Sequence, residues 1–429
     1  MSNITVHGGK KLSGEITPSG NKNSVLPILC ASLLTDETVI LHNVPDLLDV
    51  NKLVDQLAAI GSLIAWNKET TTIKINNEHI NASLFADDFP VGMRGSILLF
   101  SPLLYRMKKL KMKNEIGGCS LGIREIDPHV DVLEALGAKV KRGKTLEFSI
   151  DGRFVGNDLW PDYMSVTTTE NFINAAVLAK GKSKMVNSAS EPHVQELCVF
   201  LTKLGAKIEG IGASTLVIEG VKQLHGTEYT IGSDHHEITT FLALGAMTGG
   251  EIKVHNALPQ HFPLIVRSFK KLGVEIEYEG TTAIVRENQS LVIEKPFTSN
   301  MLQKIEAAPW PYFPVDLMPL LVALAIKAKG EIMFWNKVYE GGLFWAPEIM
   351  KFGAKIALAD PHRMIVFGGE KLEPAQVDAP NIIRAAIALT MLALAIDGTS
   401  TIRSADSIKR AHPNFAGKLQ EIGADIVWS

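Results

Sequence analysis

Ala135-Leu136-Gly137-Ala138, followed by Lys139-Val140-Lys141, writes a helix end, a turn and a strand start in seven residues. Glycine is the natural residue just past a helix C-terminus, where the backbone turns left-handed. An apolar residue flanked by two lysines then reads as a short, half-buried strand. The same signature recurs as Ala59-Ile60-Gly61-Ser62, Lys203-Leu204-Gly205-Ala206, Lys271-Leu272-Gly273-Val274, Lys351-Phe352-Gly353-Ala354 and Glu421-Ile422-Gly423-Ala424. The glycines lie 76, 68, 68, 80 and 70 residues apart, so a unit of about seventy residues is written six times.

A second signature precedes the first. A helix runs out near a glycine and a strand follows, as in Ala176-Val177-Leu178-Ala179-Lys180-Gly181, Leu244-Gly245-Ala246-Met247-Thr248-Gly249, Ala325-Ile326-Lys327-Ala328-Lys329-Gly330 and Leu394-Ala395-Ile396-Asp397-Gly398. Thr167 with Glu170, and Asp234 with Glu237, have capping-box spacing at the starts of two such helices. Each unit therefore reads helix, strand, helix, strand, with further strands before the next, which is α/β organisation with mixed sheets. Seventy residues is too long for a solenoid step, so the units are subdomains clustered around shared helices. The expected layout is two lobes of three units: residues 22–232, and residues 1–21 joined to 233–429.

The chain of 429 residues is 46% hydrophobic and 21% charged, with a formal charge of −3. This composition supplies ample core and lacks the basic field that draws in nucleic acid. Met1-Ser2-Asn3-Ile4-Thr5 has no charged segment leading into a long apolar core, so it does not read as a secretory signal. The richest apolar run, Ile382 to Ile396, is too short to span a membrane and carries Arg384 and Thr390. Cys30, Cys119 and Cys198 lie far apart, an odd and sparse set that fits a reducing cytosol better than a disulfide framework. The expectation is a cytoplasmic protein with no membrane or nucleic-acid partner.

Five places could carry chemistry. Ser19-Gly20-Asn21-Lys22-Asn23 sits between a strand and a helix starting near Ser24, where a lysine and free N–H groups can hold an anion; a solvated turn is the plainer reading. Glu115-Ile116-Gly117-Gly118-Cys119-Ser120-Leu121-Gly122-Ile123-Arg124 surrounds a thiol with glycines, as a mobile loop would, and ends in an anion-binding cation. Its alternative is a buried structural cysteine, the reading that suits Cys30 and Cys198. Arg94 opens an apolar helix against the helix dipole, which points to a nearby anionic ligand or to a surface salt bridge. Asp316, between Phe313-Pro314-Val315 and Leu317-Met318-Pro319, is either a general base or the N-cap of the next helix, and local sequence favours the cap. Arg384 and Arg410 start or precede helices in the last unit, with salt bridges as the alternative to ligand binding.

Together these residues resemble the enolpyruvyl transferase family. The resemblance runs the whole chain and is carried by Leu12-Ser13-Gly14-Glu15, Lys22-Asn23, Leu26-Pro27-Ile28-Leu29, Asn43-Val44-Pro45, Met93-Arg94, Gly117-Gly118-Cys119, Thr169-Glu170-Asn171, Glu191-Pro192 and Phe313-Pro314 with Asp316. It implies an inside-out α/β barrel of six βαβαββ repeats in two lobes of three, with the active site between the lobes. It implies transfer of the enolpyruvyl group of phosphoenolpyruvate to a hydroxyl of UDP-N-acetylglucosamine, with release of phosphate. Cys119 would be the proton donor, since a thiol is mostly protonated at neutral pH, and Asp316 the base. Lys22, Arg94, Arg124, Arg384 and Arg410 would converge on the anionic substrate. Asn23, Asp127, Ser165, Val166 and Val338 match further substrate-binding positions. No metal and no organic cofactor is implied. Lys22 and Cys119 would belong to the middle lobe or its border, Asp316 and Arg410 to the other.

Departures from the family pattern gather on the acceptor side. Arg-Pro after the cysteine loop becomes Arg124-Glu125. Lys-Val-Ser-Val-Gly becomes Tyr163-Met164-Ser165-Val166-Thr167, and Asp-Arg-Ile-Glu becomes Asp234-His235-His236-Glu237. Glu-Asn-Arg becomes Glu340-Gly341-Gly342, and Asp-Arg-Gly-Tyr becomes Lys409-Arg410-Ala411-His412. Losing a cation at a diphosphate site costs affinity for that acceptor. Two alternatives follow: a relative acting on another nucleotide or sugar acceptor, and a non-catalytic paralogue that binds nucleotide-sugar. Retention of Lys22, Cys119 and Asp316 weighs against the second.

Overall fold

A computed structural model describes residues 2–81, 94–113, 125–298 and 301–429. They fall into two compact units, one taking the chain up to Ser19 and from Ser233 to Ser429, the other the chain from Gly20 to Gly232. The six glycines that punctuate the sequence, Gly61, Gly137, Gly205, Gly273, Gly353 and Gly423, all have φ between 78° and 104°. That backbone region is open to glycine and costly for other residues, which explains the recurrence.

The unit holding both chain ends is organised around three helices, His235–Thr248, Met318–Lys327 and Ile383–Ala395, which pack on one another. All but one residue of each helix is buried. A helix that is apolar all round must be enclosed. Three four-stranded sheets belong to the same unit. One runs Gln376–Asp378, Gly398–Arg403, Ile4–Gly8, Asp425–Trp428; another Glu277–Glu279, Thr282–Val285, Ile252–Val254, Gly14–Ile16; the third Gln303–Ala307, Gly330–Asn336, Arg363–Gly368, Lys355–Asp360. Each has one parallel pair at an edge, and its other pairs are antiparallel. Alternation sets which side turns inward: Ile332 pairs with Val366 and Phe334 with Met364, and all four are fully buried.

The other unit repeats this economy with sheets of order Lys207–Glu209, Thr215–Glu219, Lys182–Val186, Asp158–Leu159, and Thr227–Thr230, Val39–His42, Thr72–Asn76, Leu63–Asn67. A third has three described strands, Lys109–Lys113, Thr145–Ser149 and Lys139–Arg142. The fold is thus α/β with mixed sheets. The expected barrel is not a closed one, because each described sheet is open and keeps two edge strands. No helix of the described residues is long and apolar enough to cross a membrane.

Strand ends press directly on the central helices. A Cβ on Gly368 would lie 2.1 Å from the carbonyl oxygens of both Ala325 and Ala328, and one on Gly8 would lie 2.0 Å from the Ala393 oxygen. Gly368→Ala is expected to destabilise its unit by about 1–3 kcal/mol. A urea titration would read this, and an unchanged midpoint would show that the strand end moves away at no cost.

Candidate functional site

In the middle unit, helix Lys22–Ala31 starts at Lys22, two residues before the position expected from sequence. Asn21 caps it, its side chain accepting a hydrogen bond from the Asn23 N–H at 2.8 Å. Gly20 is required here, since a Cβ would sit 1.9 Å from the Asn43 carbonyl oxygen. Lys22 Nζ lies 3.3 Å from Asp49 Oδ2, with the two side chains 13% and 6% exposed. Asp49 stands in the first turn of helix Leu48–Ala59, where the dipole favours a carboxylate. The ammonium is therefore held nearly out of water against a fixed counter-charge. Sequence reading missed Asp49, for an acid in a first helical turn is commonplace.

Helix Val166–Ala176 is capped by Ser165, whose Oγ accepts from the Thr168 hydroxyl at 2.8 Å. This corrects the capping box read at Thr167, which is the second residue of the helix. Val166 is the first helical residue and Asp127 the exposed first residue of helix Asp127–Ala135. The two helices are joined by buried His129, whose ring nitrogens meet Asn171 Nδ2 at 2.9 Å and Thr167 Oγ1 at 3.3 Å. Asn171 also donates to Ile97 O and receives the Ser101 N–H. The Thr169-Glu170-Asn171 motif is thus a structural brace. Glu170 is fully buried, and burial, then the charge of Glu191, pushes its carboxyl well above the ordinary range. Cys30 and Cys198 are buried as expected; burial raises the Cys198 thiol to about 12.

In the unit holding the chain ends, the N-terminal ends of the three central helices meet. Asp234 caps His235–Thr248 as expected, its Oδ1 accepting from the His236 N–H at 2.8 Å and from His236 Nδ1 at 2.7 Å. Its Oδ2 makes no hydrogen bond but lies 3.6 Å from an Arg384 guanidinium nitrogen. Burial opposes the charge on Asp234, yet His236 and Arg384 hold its carboxyl well below the ordinary range. Arg384 donates its other terminal nitrogen to His412 Nε2 at 2.6 Å. Burial, then the Arg384 charge, keeps His412 well below the usual histidine range, consistent with an accepting lone pair. Asp316, 38% exposed at its side chain, places Oδ2 3.8 Å from His236 Nε2. The N-cap reading of Asp316 fails: it lies in the 3-10 turn Val315–Leu317, and helix Met318–Lys327 has no side-chain cap.

Around this cluster, buried Glu237 pairs with Lys418, which also donates to Ser19 Oγ at 2.8 Å. Arg410 ends the 3-10 turn Ala405–Arg410, two residues before His412. Val338 sits in a turn made by Asn336, whose Oδ1 accepts the Val338 N–H at 2.9 Å. Among the described residues, Asp234, His235 and His236 are the group whose donor atoms are close enough to hold a metal, within 4.8 Å of one another. Arg384 beside Asp234 already supplies the positive charge, so the cluster is balanced without a cation. Cys119 and Arg124 lie outside the described residues. Arg94 begins the 3-10 turn Arg94–Leu99, and its side chain lies outside them also.

Asp316, Arg384 and the neighbour of Arg410 thus come together in one unit, and Lys22 with Asn23 in the other. His236, His412 and Lys418 escaped sequence reading as site residues, since only their neighbours' packing reveals them.

The buried carboxyl of Glu170 generates a pH prediction. Its folded pKa lies above the unfolded value, so its contribution to stability is full below the ordinary carboxylate range, near ~4.3, and is lost as pH rises through the folded value. Glu170→Gln is expected to flatten the fall in melting temperature from mildly acidic to alkaline pH. A series of thermal melts checks this, and an unaltered slope would assign the dependence to another group.

The sequence profile of EPSP synthase (3-phosphoshikimate 1-carboxyvinyltransferase) matches residues 6–419. A UDP-N-acetylglucosamine 1-carboxyvinyltransferase of Borreliella burgdorferi is 39% identical over 426 residues, 99% of each chain. A protein of the same name from Bradyrhizobium diazoefficiens is 40% identical over 421 residues, 98% of this chain and 96% of that one. Among solved structures, the enolpyruvyl transferase NikO from Streptomyces tendae superposes with a TM-score of 0.85 at 21% identity, covering 100% of this chain and 99% of that one, a likeness of fold. The chain belongs to the EPSP synthase (3-phosphoshikimate 1-carboxyvinyltransferase) family and is an enolpyruvyl transferase.

Proposed function

We propose that this enzyme moves the enolpyruvyl group of phosphoenolpyruvate onto a hydroxyl of UDP-N-acetylglucosamine and releases phosphate, in the cytoplasm, as a step in peptidoglycan precursor synthesis. The observation that carries this reading is the end-to-end similarity to relatives that bear that activity in their names, at 39% and 40% identity. The six helix-end glycines, and three sheets in each unit, support six βαβαββ repeats in two lobes of three, divided as residues 1–21 with 233–429 and 22–232.

In this reading Cys119 gives a proton to the methylene carbon of phosphoenolpyruvate, which makes the neighbouring carbon electrophilic. The acceptor oxygen bonds to that carbon while Asp316 takes its proton. Loss of phosphate from that carbon and of a proton from the methyl carbon restores the double bond. Lys22, Arg94, Arg124, Arg384 and Arg410 neutralise the phosphate and carboxylate. Asp49 supports Lys22, whose ammonium it fixes in place. Asn23, Asp127, Ser165, Val166 and Val338 serve further substrate contacts. The chemistry requires no metal or organic cofactor. One observation favours a second acceptor: Tyr163, exposed, replaces the lysine of the family pattern.

Phosphate release from phosphoenolpyruvate is expected on addition of UDP-N-acetylglucosamine. Release only with other nucleotide or sugar acceptors would move the assignment to one of those. Asp316→Asn is expected to lower kcat by about a hundredfold or more, and Cys119→Ala to do the same. Wild-type turnover in either variant would remove that residue from its role.

A further inference from the structure

The approach to Asp316 contains a buried acid–imidazole pair that the roles above leave unused. His236 Nδ1 lies 2.7 Å from Asp234 Oδ1, and its Nε2 faces Asp316 Oδ2 at 3.8 Å. Asp234 and His236 are 1% and 3% exposed at their side chains, while Asp316 is 38% exposed. The three groups form a line from the interior to the surface. His236 stands where the family pattern has isoleucine, so the line belongs to this chain.

We propose that His236, oriented by Asp234, is a positioning residue for Asp316 that takes up the proton Asp316 abstracts from the acceptor hydroxyl. The proposal rests on the function reading above. Asp234, held as a carboxylate, fixes the ring proton on Nδ1 and leaves the Nε2 lone pair toward Asp316. Closing the 3.8 Å gap to hydrogen-bond length needs a shift of about 1 Å. The proton then passes from the acceptor O–H to Asp316 and on to Nε2. Asp316 regains its charge, and an imidazolium is left between two carboxylates. Proton loss to solvent resets the pair.

The other charged groups facing His236 are identifiable. His235 stacks on it at 4.0 Å, Arg384 lies 3.6 Å from Asp234 on the opposite oxygen, and neutral His412 accepts from Arg384. Glu237 and Lys418 pair with each other. The two carboxylates of Asp234 and Asp316 thus flank the ring, and Arg384 stands beyond Asp234.

Two substitutions separate the parts. His236→Asn keeps an N–H for Asp234 and removes the group facing Asp316. His236→Gln keeps a polar group toward Asp316 that cannot accept a proton. Both are expected to lower kcat about tenfold or more, leave KM for phosphoenolpyruvate within about twofold, and shift the acid limb of the kcat profile. Wild-type kcat and an unmoved profile in both would overturn the proposal. Histidine nitrogen NMR on the wild-type enzyme tests it without a variant: a neutral His236 ring carrying its proton on Nδ1 is expected, and a proton on Nε2 would overturn it. Absence of phosphate release by the wild type with any acceptor would defeat the function reading instead, and the NMR result would stand apart from that failure.

Discussion

A helix buried on every side can keep only those polar groups that find partners. Three such helices, His235–Thr248, Met318–Lys327 and Ile383–Ala395, set the plan of the unit that holds both chain ends. Their flanks are sealed by each other and by sheets, so the chain can place polar chemistry only at their ends. The N-terminal ends carry Asp234, Asp316 and Arg384 within ion-pair reach of a shared histidine or of one another. The dipoles favour the carboxylates and disfavour Arg384, which Asp234 offsets. Fold and site are consequences of one constraint.

The middle unit meets the same problem differently. Its candidate cation, Lys22, sits at a helix N-terminus, the wrong end for a positive charge, and is nearly out of water. Asp49 makes the placement tolerable. Breaking such a pair from one side leaves a charge stranded at low dielectric, so Asp49 holds the ammonium in place. A preplaced cation suits an anionic ligand, because little reorganisation is needed on binding.

Much of the fold was legible because backbone chemistry repeats. Gly61, Gly137, Gly205, Gly273, Gly353 and Gly423 mark turns that demand left-handed backbone, and that demand leaves the same letter each time. At the candidate site, local sequence offers Lys22 in its asparagine-flanked turn mainly as a solvated lysine, and its burial against Asp49 is visible only in the fold. Legibility failed for contacts made across the chain. Asp49 is 27 residues from Lys22, His412 is 28 from Arg384, and Asp316 is 80 from His236. A capping box at Thr167 was misread because Ser165, two residues earlier, caps equally well and won the competition.

Strand Ile4–Gly8 lies between Gly398–Arg403 and Asp425–Trp428, so both its neighbours are made long after it. On a ribosome adding about 5–20 residues per second, it waits roughly 20–80 s for its first partner. The middle unit needs nothing from beyond Gly232 to assemble its own sheets. Synthesis therefore imposes an order: the chain of the inserted unit is complete while strand Ile4–Gly8 still lacks both its neighbours.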